Sequence, residues 1–330
     1  MGLYPEIEPY DHGMLDVGDG NRVYWETCGN PRGKPALVLH GGPGSGASPH
    51  LRRYFDPAAY RIVLLDQRGA GRSTPPASDP ATDMSVNTTA HLLADLERLR
   101  AHLGIERWLV WGVSFGSVLG LRYAQTHPGV VSELVLTGVA TGSNPEVTLL
   151  TSGLGKIFPE AHARFLAELP ATDRTGRLAA AYNRLLESPD PAVRARAARA
   201  WTDWETATIP APPRSVPRFE IPAFRLGFAR TVTHYWANDH FLGEGNDEGV
   251  ILRDAPLLKG IPGVLVQGSL DFGNLLGTAW RLHHAWPDSR LLLIDEAGHD
   301  AGAPGVADAL VAATDTFAHE RTDTRREPLP

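Results

Sequence analysis

Apolar and polar positions follow two rhythms along this chain. In the first third, short apolar runs alternate with helix-spaced segments. Residues 22–28 (RVYWETC) alternate as a half-buried strand does. Residues 36–40 (ALVLH) and 61–66 (RIVLLD) are continuous apolar runs, the first ending at glycines. Residues 85–103 carry Leu92, Leu93, Leu96, Leu99 and Leu103 at helical spacing, and Gly104 follows as a stop. Residues 107–113 then read as strand, 115–126 as helix and 132–137 as strand. Continuous apolar strands separated by helices predict a mostly parallel sheet with helices on both faces.

From about residue 141 to 254 the strand signal vanishes. Helices are expected over 161–169, 177–186 and 191–206, and over 219–236, entered through Pro222. The proline-rich run 209–217 interrupts them. Strand patterns resume at 263–268 and 290–295, with a helix between them and another over 306–319. The pattern therefore predicts an α/β core (1–140 and 255–320), a helical cap (141–254) inserted after the central strands, and a flexible polar tail (321–330).

Composition narrows the function classes. With 330 residues, 42% hydrophobic and 21% charged, the chain is ordinary globular protein, long enough for about two domains. The net charge of −7 speaks against a nucleic-acid partner, which needs a positive footprint. No apolar run approaches the ~18 residues of a membrane helix. The acidic opening lacks the basic and apolar regions of a secretory signal, and Cys28 is the only cysteine. A cytoplasmic protein with a buried structural thiol is expected, as a monomer or small homo-oligomer.

The chemistry concentrates in three places. Gly112-Val113-Ser114-Phe115-Gly116 fits G-x-S-x-G and falls between a predicted strand and helix. A serine in so sharp a turn needs neighbours with almost no side chain, and the helix N-terminus behind it favours developing negative charge. A base must take the serine proton. In the α/β-hydrolase arrangement the acid and then the histidine follow the serine in the chain. His299 lies in a glycine-marked loop after the strand LLLID, and Asp271 follows the strand GVLVQG. Asp295 and Asp300 are rivals for the acid, but sequence neighbours of such a histidine rarely reach back to its Nδ1. His283 and His284 fall in a helix. The third place is His40-Gly41-Gly42-Pro43-Gly44, directly after a strand. The backbone N–H groups of Gly42 and Phe115 are the expected oxyanion hole, with Gly41 and His40 supporting the loop. A phosphate loop is the rival reading, and the Gly-Lys-Ser/Thr ending it needs is missing. No metal motif or dinucleotide fingerprint is present, so neither metal nor cofactor is expected; His234 and His240 are the nearest approach to a ligand pair.

Together these segments resemble the proline iminopeptidase family of α/β-hydrolases. The resemblance runs from about residue 24 to 317. It rests on CGNP (28–31), HGGPG (40–44), DQRGAGRS (66–73), WGVSFGS (111–117), YAQTHP (123–128), W-x-x-WE (201–205), the HYW run from His234 and the closing GHD. It implies release of N-terminal proline from peptides, with Ser114, Asp271 and His299 as triad and a cap over the site. It also implies two cap glutamates holding the substrate's free amine. Glu205 matches the first, with Trp204 and Tyr235 as further substrate-contacting residues. The second lies in a pattern like R-I-E-x-HY, where this chain has Val232. Two readings follow: a serine aminopeptidase on a small peptide, or the same scaffold serving an ester, amide, lactone or acyl transfer to a small molecule, which Val232 favours. A hydrolase fold kept only for binding is a third, opposed by the complete set of catalytic residue types.

Overall fold

The computed structural model describes residues 2–209, 216–247 and 249–319. Most of the proline-rich run (210–215) and the predicted tail lie outside the described residues. Eight strands form one sheet: β1 (Pro9–Gly18), β2 (Asn21–Gly29), β3 (Lys34–Leu39), β4 (Tyr60–Leu65), β5 (Trp108–Val113), β6 (Val131–Thr137), β7 (Gly263–Gly268) and β8 (Ser289–Ile294). Their order is β1-β2-β4-β3-β5-β6-β7-β8. The pairs β1/β2 and β2/β4 are antiparallel and all the others parallel. Every residue of β6 and β7 is buried, which is why these strands read as unbroken apolar runs.

The helices are α1 (Thr89–His102), α2 (Phe115–Thr126), α3 (Asn144–Thr151), α4 (Pro159–Ala167), α5 (Leu178–Leu186), α6 (Pro191–Ala207), α7 (Pro222–Ala237), α8 (Val250–Arg253), α9 (Leu276–Ala285) and α10 (Val306–His319). Alternate strand residues feed opposite layers. Leu37, Val63, Val110 and Leu136 pack with Leu96, Val118 and Leu282 of α1, α2 and α9. Ala36, Ile62, Trp111 and Val266 pack with Leu310, Val311 and Phe317 of α10. Cys28 belongs to this second layer; burial pushes its thiol up to about 12, as suits a structural residue.

One strand escaped the sequence reading. β1 (PYDHGMLDVG) is an edge strand with only Val17 fully buried, so it carries no apolar run to detect. The first helix also begins later than the leucine spacing suggests, at Thr89: Thr88 caps it, accepting from the His91 N–H, and residues 84–86 form a separate 3-10 turn.

Between β6 and β7 the helices from α3 to α7 build a separate apolar cluster around Phe165, Tyr182, Trp201 and Trp204. Phe165 and Tyr182 stack with ring centroids 4.5 Å apart. Buried polar contacts fasten this insertion to the core. Arg230 of α7 donates to the carbonyls of Ala77, Asp79 and Thr82 and to Glu187. Tyr235 donates its hydroxyl to Asn87 at 2.9 Å.

Within the core, Arg68 grips Asp95 of α1 through two bonds of 2.7 and 2.8 Å, both side chains fully enclosed. Removing one partner strands the other charge in a dry environment. Asp95→Ala is expected to cost about 3–5 kcal/mol, read as a lower urea midpoint than the parent protein.

Candidate active site

The candidate nucleophile sits on a turn that only close backbone contact permits. Ser114 has φ 56° and ψ −121°, a conformation that costs a non-glycine residue on the order of 1–3 kcal/mol. Its N–H donates to the Thr137 carbonyl at 3.0 Å, and its own carbonyl accepts from the N–H and hydroxyl of Ser117. A Cβ on Gly112 would come within 2.4 Å of the Gly116 carbonyl oxygen, and one on Gly116 within 2.1 Å of the Leu39 oxygen. The two motif glycines thus let β5 and β3 close on the start of α2. Ser117, not singled out by sequence, also accepts from the Ala140 N–H, joining the turn to the start of the insertion.

His299 and Asp271, 28 positions apart, meet at 2.8 Å between Nδ1 and Oδ2. Asp271 is enclosed, and three donors surround its carboxylate: His299 and the Gln267 side-chain amide on Oδ2, and the Asn274 N–H on Oδ1. Burial alone lowers the affinity of the His299 ring for a proton. The charge and hydrogen bond of Asp271 outweigh it, with help from Glu205, so the imidazole is held above its ordinary value. Of the rival acids, Asp300 caps its own turn by accepting from the Gly302 N–H. Gln267 was missed; its signal is a lone polar side chain in the buried strand GVLVQG.

The glycine loop is held from behind. The Gln67 N–H donates to His40 Nε2, which places the ring proton on Nδ1, and Nδ1 donates to the Gly41 carbonyl. Burial keeps this ring neutral by lowering its pKa. Asp66 accepts from the Ala47 N–H and from the Arg72 N–H and guanidinium. The motif DQRGAGRS is therefore scaffolding for the loop 40–47. Gly41 packs against Ser114: a Cβ there would stand 3.1 Å from the serine Cβ.

Ser114, His299, Gly42 and Glu205 border two cavities. One, of about 150 Å³, is walled by Trp201, Trp204, Trp236 and Leu150. The other, of about 310 Å³, runs along the glycine loop to Phe219, Phe224 and Arg218. Glu205 accepts from the Trp201 indole N–H at 2.7 Å. Burial raises its carboxyl to about 7, against the opposing effects of that bond and of the His299 charge. Val232 and Tyr235, expected beside the substrate, are not among the residues bordering these two cavities. Val232 is on the face of α7 that, with Phe228 and Ala229, fills the cap's own core, and it is fully buried. Tyr235 is also enclosed, bonded to Asn87 and packed edge-on against Phe115. His234 is turned to the Asn87 carbonyl, and His240 stacks on Phe115.

A serine on a strained strand-to-helix turn of a mostly parallel sheet, with an acid–histidine pair on the loops after the last two strands, defines the α/β-hydrolase class. A family model of the alpha/beta hydrolase fold accordingly matches residues 34–304. Within that class the chain belongs to the proline iminopeptidase family. It is 83% identical over 322 residues to the probable proline iminopeptidase of Streptomyces coelicolor, covering 98% of this chain and 99% of that one. The proline iminopeptidase of Xylella fastidiosa is 48% identical over 96% of this chain and 99% of its own length. Among solved structures, the proline iminopeptidase-related protein of Thermus thermophilus shares the fold at a TM-score of 0.53 and 22% identity, over 94% of this chain and 98% of that one.

The raised carboxyl of Glu205 has a stability consequence. The unfolded chain ionises this group near an ordinary ~4.3, so the folded state holds the proton longer. The penalty is absent below the unfolded value and complete above about 7. Glu205→Gln is therefore expected to stabilise the fold by roughly 2 kcal/mol at alkaline pH, with the gain shrinking toward pH 5; urea midpoints across pH measure it.

Proposed function

We propose that this chain is a serine aminopeptidase that releases N-terminal proline from peptides. The observation that carries the reading is the half-buried Glu205 carboxyl, raised by desolvation, on the same cavity walls as Ser114 and His299. A desolvated carboxylate that no Lys or Arg pairs with among the described residues is a receptor for a substrate ammonium. The three tryptophans beside it suit the apolar ring of a proline. Family membership supports the same activity. Residues 141–254 serve as the cap that supplies these walls, and we place the protein in the cytoplasm, where its single enclosed thiol suits a reducing setting.

In the proposed reaction the substrate amine pairs with Glu205, which sets the first carbonyl over Ser114. His299 takes the Ser114 proton as Oγ bonds to the carbonyl carbon. Asp271 holds the imidazole in its tautomer and stabilises the imidazolium. The N–H groups of Phe115 and the Gly42 loop receive the oxyanion. His299 then gives the proton to the departing amine, the C–N bond breaks, and a prolyl ester remains on Ser114. Water, deprotonated by His299, releases proline and restores the serine. Gln267 and Asn274 keep Asp271 aimed throughout.

Three substrates test this: proline p-nitroanilide, its N-acetyl derivative and p-nitrophenyl acetate. Ser114-dependent cleavage of the free-amine anilide alone is expected, and Ser114→Ala abolishes it. Ester turnover without anilide cleavage sends the reading to the repurposed hydrolase instead. The pH profile carries a second expectation. Free-amine substrates need His299 neutral and Glu205 ionised, so the acid limb of log kcat/KM has a slope of about two, falling to about one in Glu205→Gln.

A further inference from the structure

The larger of the two cavities carries a feature that amine recognition does not use. Arg218 stands on its wall, on the 3-10 turn Pro217–Glu220. One guanidinium nitrogen donates to the Ser45 carbonyl at 2.9 Å, and the group lies 4.9 Å from the centroid of the Phe224 ring. These contacts aim the side chain but occupy one of its five N–H donors. No carboxylate among the described residues pairs with it. Its neighbour Glu220 is turned to Arg225 at 3.7 Å. A solvent-accessible, oriented cation that pairs with no carboxylate among the described residues, on the wall of a cavity that also borders Ser114, suits an anion.

We propose that this cavity holds the leaving part of the substrate and that Arg218 binds its terminal α-carboxylate, which makes short zwitterionic peptides the preferred substrates. The inference rests on the aminopeptidase reading, which places the N-terminal residue in the tryptophan-walled cavity with its amine on Glu205. The scissile carbonyl then sits at Ser114, and the remainder of the peptide runs past the glycine loop. Ser45, whose carbonyl holds Arg218, belongs to that loop: its N–H donates to the Gly41 carbonyl, and Gly41 touches Ser114. Arg218 is thus linked to Ser114 through the loop residues Ser45 and Gly41. A leaving residue spans about 3.3–3.6 Å of extended chain. The cavity volume, about 310 Å³, is at the small end of ligand sites and suits one or two residues. The two charges form a bipolar site, negative at Glu205 and positive at Arg218, matched to a dipeptide or tripeptide with both termini free. Arg218 is a specificity-determining residue in this scheme and takes no part in the bond changes.

The test compares Pro-Leu with Pro-Leu-amide, which differ only in the terminal charge, at low ionic strength. The wild-type enzyme is expected to favour the acid by about tenfold in kcat/KM, chiefly through KM. Added salt narrows the preference. Arg218→Met brings the ratio of acid to amide close to one, and Arg218→Lys retains part of it. The ratio is the readout, because a variant that folds poorly lowers both rates together and leaves it intact. A wild-type ratio near one, or a ratio that survives Arg218→Met, overturns the proposal. Proline p-nitroanilide separates the two levels: if the wild type cleaves it but shows no preference for the acid, only the role of Arg218 falls. If it cleaves neither the anilide nor the dipeptides, the aminopeptidase reading falls with it.

Discussion

The left-handed turn at Ser114 is the constraint on which the rest of the site depends. It holds only because two glycines let β5, β3 and the first turn of α2 approach within distances that a Cβ would forbid. The packing that compensates its strain is the fully buried centre of the sheet. Once the turn is formed, the serine stands at the carboxyl edge of β5, with the first N–H of α2 behind it and the glycine loop in front. Its hydrogen bond to the Thr137 carbonyl ties it to the end of β6, where the insertion begins.

Much of the remaining sequence signature is support for that turn. The Asp66 carboxylate and the neutral His40 ring take no part in the proposed proton transfers, yet each fixes a backbone group of the glycine loop. The same holds for the Gln267 amide behind Asp271. Satisfied buried polar groups of this kind keep a site rigid, because each alternative arrangement leaves a donor or acceptor unpaired.

The electrostatics of the cavity run against stability. Glu205 is enclosed beyond what its single indole donor compensates, so its carboxyl is displaced upward to about 7. His299 moves in the same direction for the opposite reason, an attraction to Asp271 that exceeds its own desolvation. With the glutamate displaced to about 7, a cation entering the cavity favours its charged form. A carboxylate that destabilises the empty fold and becomes compensated on binding is a plain way to convert burial into recognition.

The residues that announce themselves in the sequence are those whose physics is local. Glycines around a serine, a glycine loop after a strand and apolar runs of strand length all obey rules that act within a few residues. They sufficed to anticipate the core strands from β2 onward, α2 and α10 to the residue, and the helical insertion. β1 was illegible because an exposed edge strand draws its order from its partner's backbone rather than from its own side chains. The surroundings of Val232 were illegible for a related reason: a position along a helix does not say which face looks at the cavity, and α7 turns that face into the insertion's core. The meeting of Asp271 with His299, the desolvation that moves Glu205 and the placing of Arg218 on the cavity wall belong to the tertiary structure alone. Desolvation and charge pairing depend on what lies within a few ångströms in space, and residues distant in the chain provide it.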